Sequence, residues 1–189
     1  MSSERRLCVE ETQLSGHCVL ERRTFRDARG SFSRLFDQEQ LAQAGLALSV
    51  AQINYSVTRQ RGTVRGLHLQ RAHEPESKYI SCIGGEIFDV AVDLRPGSPT
   101  FLRWHGVLLS EDNQRTVVVP PGCAHGFQVL SDGCALVYVH NAPYRPSVED
   151  GVHPLDPALA IAWPLPVIEL SERDRSWPWL VNGPGGVQR

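Results

Sequence analysis

Apolar positions along the chain form short runs, broken roughly every eight to twelve residues by Gly, Pro, Asn or Asp. The runs cover residues 47–56, 78–83, 86–94, 104–109, 116–119, 126–130 and 134–140. Gly84-Gly85, Pro96-Gly97, Pro120-Pro121-Gly122 and Asp132-Gly133 supply turns between them. Such spacing predicts an antiparallel sandwich or barrel rather than βαβ units. Alternation is clearest over 86–94: Ile87, Asp89, Ala91 and Asp93 face one way, and Phe88, Val90, Val92 and Leu94 the other. Two aspartates among inward positions predict a polar lane, which suits a barrel with a ligand cavity. One helix is predicted, over 37–47, with Asp37 as N-cap and Gly45 near its end. From Pro143 onward prolines recur, so residues 143–181 read as an arm wrapped over a barrel core at about 47–142. Residues 182–189 read as a disordered tail. No repeat interrupts this single-domain reading of 1–189.

Composition narrows the classes. The chain has 189 residues, 41% hydrophobic and 21% charged, within the range of globular proteins. A formal charge of −2 argues against a broad electrostatic grip on nucleic acid. No apolar stretch approaches the roughly 18 residues of a membrane helix, and the first residues lead into no apolar segment of a secretory signal. Five cysteines without a CxxC argue against both a disulfide framework and a zinc knuckle. A cytoplasmic protein without membrane or nucleic-acid partners is expected. Of 19 basic residues only Lys78 is lysine, which singles out position 78 as one where a compact ammonium is wanted.

Two segments concentrate chemistry: residues 62–74 (GTVRGLHLQRAHE) and 120–127 (PPGCAHGF). They resemble the two signature segments of the cupin superfamily, GxxxxxHxHxxxE and PxGxxH, whose histidines and glutamate surround a metal in many members. Gly62, His68, Glu74, Pro120, Gly122 and His125 fall in register, but Gln70 replaces the second histidine. An amide oxygen is a poor ligand for zinc, iron or copper, so a metal-free polar cavity is expected.

A narrower resemblance covers about residues 25–180. The segments VRGLH (64–68), GEIFDVAVDLRPGSPTF (85–101), PGCAHGF (121–127) and DARGSF (27–32) closely resemble the dTDP-4-dehydrorhamnose 3,5-epimerase family. The family implies a jelly-roll barrel and a reaction without metal or cofactor on a nucleotide-linked 4-keto-6-deoxyhexose. A 4-keto group acidifies the C–H bonds at C3 and C5, so inversion needs a base, an enolate stabiliser and an acid on the opposite face. Imidazole titrates near neutrality, which makes His68 the expected base. By resemblance Asp174 orients it, Lys78 stands beside the enolate, and Tyr138 returns the proton. Arg29, Arg65 and Arg173 would meet the diphosphate; Gln52, Asn54, Tyr144 and Glu149 the nucleoside; and His125 the sugar. The family also implies a homodimer whose N-terminal strands cross to the neighbour's site. His17, His73, His105, His140 and His153 carry no supporting pattern and read as surface or structural.

The chain departs from common family residues at Arg34, Leu69, Ser81 and the run GVHPL at 151–155. KYISC (78–82) and LDPAL (155–159) look more like relatives that make antibiotic deoxysugars, some of which invert only C3 or only C5. A double epimerase is therefore expected, with a mono-epimerase, a metal-dependent cupin oxygenase or isomerase, and a non-catalytic sugar-nucleotide binder as the competing readings.

Overall fold

The structure, a computed structural model, describes residues 7–71 and 76–180. In chain order the strands are β1 (Cys8–Glu11), β2 (Cys18–Glu21), β3 (Thr24–Asp27), β4 (Gly30–Ser33), β5 (Gln52–Thr58), β6 (Val64–Gln70) and β7 (Lys78–Gly84). They continue as β8 (Glu86–Asp93), β9 (Trp104–Ser110), β10 (Arg115–Val119), β11 (Cys123–Val129), β12 (Cys134–His140) and β13 (Glu149–Gly151). Among the described residues there are two short α-helices, α1 (Gln38–Gln43) and α2 (Glu172–Ser176), and one 3-10 turn, Pro146–Val148.

A six-stranded antiparallel sheet, ordered β1-β2-β10-β7-β12-β5, faces a five-stranded one, ordered β13-β6-β11-β8-β9. This is the expected all-β, cupin-type jelly-roll barrel with short helices. Strand alternation dictates what fills it. Ile80, Cys82, Ile87, Ala91, Val117, Phe127 and Leu136 point inward and pack as one apolar cluster. Each large side chain withdrawn there from water contributes about 1.5–3 kcal/mol. Further along the same inward rows the residues turn polar: Lys78 on β7, Asp89 on β8, His125 on β11, and Tyr138 and His140 on β12. Apolar packing thus closes one end of the barrel and leaves a polar cavity at the other.

The outer faces are covered unequally. Leu41 of α1 and Leu48 lie over Tyr79, Val118 and Val139 of the first sheet. Val152, Leu159, Ile161 and Trp163, from the proline-rich arm, lie over Leu67, Val90 and Val92 of the second. Edge strand β5 is left bare, with Ile53, Tyr55 and Val57 exposed at 64, 65 and 51%.

Several expectations need correction. The sheets extend beyond 47–142, because β2 pairs with β10 and β13 pairs with β6. The arm therefore contributes a strand as well as a cover. The helix is shorter than predicted, although Asp37 caps it by accepting from the N–H groups of Glu39 and Gln40. Asp93 belongs to no ligand lane: Arg95, Ser98 and Thr100 all donate to it, so it staples the turn after β8. The tail at 182–189 lies outside the described residues. Arg34 pairs with the capping Asp37, and Ser81 bonds Thr116 across strands. All five cysteines are free, four of them buried. Among the described residues no helix is long and apolar enough to cross a membrane.

Candidate active site

The polar end of the barrel encloses a cavity of about 230 Å³. Register sets its walls: His125 lies opposite His68, His140 opposite Lys78, and Tyr138 opposite Asn54. Two glycines let β6 and β11 approach closely enough for the first pairing. Gly66 has φ +137, and a Cβ there would lie 2.5 Å from the Gly126 Cα; a Cβ on Gly126 would lie 2.7 Å from the Arg65 carbonyl. Any larger residue at either position would force the two strands apart.

His68 projects from β6 and meets Asp174 of α2, with Nε2 2.5 Å from Oδ1. Ser171 caps α2 by accepting from the Asp174 N–H at 3.0 Å, and the Gly66 N–H donates to Oδ2 at 3.3 Å. Burial opposes charge on Asp174, but the hydrogen bond from His68, the imidazole's charge and the two smaller contacts outweigh it and hold the carboxyl below its ordinary range. When the imidazole is neutral, the ionised carboxylate accepts a hydrogen bond from Nε2–H, which leaves the Nδ1 lone pair free. That is the arrangement of an oriented general base.

Lys78 opens β7 with its side chain buried, and Nζ donates to the His68 carbonyl at 3.1 Å. Burial lowers its pKa, with Glu76 acting in the opposite direction. Tyr138 packs between His125, edge-on at 6.2 Å, and His140, stacked at 6.0 Å. Its nearest hydroxyl neighbour is Ser56, at a long 3.5 Å. Burial pushes the phenol well above its ordinary value, so it is a firmly protonated donor. His125 Nε2 bonds Asp89 at 2.7 Å, which leaves Asp89 Oδ1 buried without a partner.

The rim is built from the other expected residues. Arg65, Gln52, Asn54, Tyr144 and Glu149 all line the cavity. Gln52 donates to Asn54 at 3.0 Å and accepts the Tyr144 N–H at 2.9 Å. Tyr144 donates to Glu149 at 2.7 Å, and Arg173 forms an ion pair with that carboxylate. Arg173 thus reaches the site through Glu149, and Asp174 through His68. Arg29 is the exception. It sits in the β3–β4 hairpin, 90% exposed and paired with Asp27, and does not line its own chain's cavity.

Neither end of Gln70 is free to bind a metal: its amide donates to the Pro143 carbonyl and accepts from the Arg145 N–H. The third residue of the cupin pattern, Glu74, lies outside the described residues. Among those described, no group of three or more His, Cys, Asp or Glu could hold a metal ion.

Sequence reasoning missed Glu76 and gave His140 no place in the site. Both line the cavity, and His140 is buried there rather than at the surface. The signal for His140 was available, since it follows Tyr138 by two on one strand and so shares its face. Glu76 precedes β7, where no alternation applies. Leu69, one of the departures, also lines the cavity.

Comparisons with known proteins show the family in which this cavity occurs. The family model described as dTDP-4-dehydrorhamnose 3,5-epimerase matches residues 11–182. An enzyme of that name from Methanothermobacter thermautotrophicus is 41% identical over 177 residues, 92% of this chain and 95% of that protein. A dTDP-4-dehydrorhamnose 3-epimerase from Streptomyces niveus is 44% identical over 150 residues, 79% of this chain and 72% of its own. The crystal structure of the 3,5-epimerase from Bacillus anthracis str. Ames with TDP and PPi bound superposes with a TM-score of 0.89 at 40% identity, covering 92% of this chain and 99% of that one. With the fold, the signature segments and nearly the full length in agreement, the chain belongs to the dTDP-4-dehydrorhamnose 3,5-epimerase family.

Proposed function

We propose that this chain epimerises a dTDP-4-keto-6-deoxyhexose at C3 and C5, with neither metal nor organic cofactor. The supporting observation is the convergence of the His68–Asp174 dyad, Lys78 and Tyr138 on one cavity. Nδ1 of His68 takes the proton from carbon next to the ketone. The C–H electron pair becomes the enolate C=C, and the carbonyl pair moves to oxygen, where the Lys78 ammonium offsets the developing charge. The Tyr138 phenol then protonates the same carbon from the opposite face, which inverts it. Arg65 and Arg173 are suited to the diphosphate as guanidinium forks, Gln52, Asn54, Tyr144 and Glu149 to the nucleoside, and His125 to the sugar.

Incubation with dTDP-4-keto-6-deoxyglucose in D₂O tests this reading. Deuterium at both C3 and C5 is expected, and no solvent label at either carbon would overturn it. Label at one carbon alone would instead make the chain a mono-epimerase, the second reading that its identity to the Streptomyces niveus 3-epimerase supports. Turnover is expected to survive exhaustive chelation; loss with stoichiometric metal would return the metal-dependent cupin reading.

The enzyme is further proposed to be a cytoplasmic homodimer in which the β3–β4 hairpin brings Arg29 to the partner's cavity. The bare apolar side of β5 and the exposed Phe25 and Phe32 of the hairpin support this.

A further inference from the structure

Lys78 is the one lysine in the chain, and it is buried at the wall where the proposed chemistry needs a cation. Burial alone favours a neutral amine, which would offer an enolate no charge. The side chains around it are arranged against that outcome. Glu76, itself buried, lies with Oε2 3.3 Å from Lys78 Nζ and Oε1 2.7 Å from His140 Nδ1. Both carboxylate oxygens are thereby engaged. On the far side of the imidazole, His140 Nε2 lies 3.4 Å from the Asn54 amide nitrogen, a donor. The neutral tautomer of His140 with its proton on Nδ1 satisfies both contacts. Asn54 thus donates to His140 and His140 to Glu76, whose carboxylate accepts from Lys78 on its other oxygen. An ammonium has three N–H donors; the His68 carbonyl takes one and Glu76 a second, which leaves one for the cavity.

We propose that Glu76, oriented by His140, is a positioning residue that keeps Lys78 an ammonium and holds it against the backbone of the general base. The inference deepens the epimerase reading and rests on it only for the use made of the charge. Other charged or titratable groups also face Lys78. They are Arg65 and His68 from β6, His125 from β11, Tyr138 and His140 from β12, Tyr144 beyond it and Glu149 from β13, which line the same cavity, with Asp89 from β8 and Arg173 from α2 acting on its charge. From β5 only amides and Ser56 face it. Glu76 leads the groups that favour the charge, with Asp89 a weaker contributor, and Arg173 opposes it.

A single lysine makes the test direct. Protein grown on lysine labelled with ¹³C at Cε carries one such resonance, and its pH titration reports the charge of Lys78 without substrate or assignment. Replacing Glu76→Gln, nearly isosteric, is expected to lower the midpoint by one unit or more, a tenfold change in the equilibrium. A displacement below one unit, or upward, would overturn the proposal. Should E76Q fail to fold, His140→Leu removes the donor that orients Glu76; a downward displacement supports the proposal and none overturns it. The titration also separates this inference from the reading beneath it. A lowered midpoint with unchanged epimerase turnover at high pH would uphold the positioning role and remove Lys78 from the chemistry instead.

Discussion

Replacing Asp174→Asn removes a charge while preserving shape, and its effect can be worked from the contacts. The carboxylate is 3% exposed and lies 2.5 Å from His68 Nε2, so it is the immediate counter-ion of any imidazolium formed when Nδ1 accepts a proton. Taking the centres of charge as about 4 Å apart and an effective dielectric near 20, their attraction is about 4 kcal/mol. An imidazole that has not yet accepted the proton gains little of this, so most of it acts on the proton-transfer step. At about 1.4 kcal/mol per decade, the turnover rate should fall roughly 10³-fold while KM changes little. Asparagine can also present its NH₂ to Nε2, which would move the ring proton to Nδ1 and deepen the loss. The assay follows deuterium entry at C3 and C5 of dTDP-4-keto-6-deoxyglucose by NMR, with dTDP affinity and thermal midpoint measured alongside. A D174N enzyme that binds dTDP normally and exchanges within tenfold of wild type would refute the dyad.

Tyr138→Phe should retain exchange from the His68 face but lose inverted product by about 10²-fold or more; inverted product at the wild-type rate, read by NMR, would exclude the phenol. Lys78→Ala should lower turnover about 10²-fold or more, the scale of a lost oxyanion donor, and a rate within threefold of wild type would count against its role. For Asp93, burial would raise the pKa, but Arg95, Ser98 and Thr100 together hold the carboxyl far below its ordinary range. Its stabilisation is therefore complete above the unfolded value near 4 and lost as pH falls toward the folded value. D93N should lose roughly 2–3 kcal/mol at pH 7, toward the low side for a buried ion pair because Arg95 reaches solvent. Urea midpoints measured from pH 7 to pH 2 should then converge for the two proteins. Tyr55→Glu, on the bare side of β5, should yield a monomer by analytical ultracentrifugation and lose activity with it; an active monomer would refute a site shared between subunits.

Local patterns carried much of this. Alternation over 86–94 and 134–140, with turn residues between the runs, is enough to imply a barrel, because a strand's faces depend only on its own residues. Strand β6 was harder to see as a strand. Its apolar Leu67 points outward under the arm, while His68 and Gln70 point inward, which inverts the usual rule. The site behaved similarly: His68, Lys78 and Tyr138 stand in distinctive surroundings in the chain, and the structure brings all three to the cavity.

The sequence by itself determined the all-β class and the inward rows, since each follows from residue type and a period of two; His68 as the base is a proposal that rests on its motif. Tertiary structure alone decided which partners those residues meet. Asp174 reaches His68 across 106 positions, and Glu76 reaches His140 across 64. No local period relates such pairs. Sheet register and the path of the arm do, and both are set by burial summed over the whole barrel.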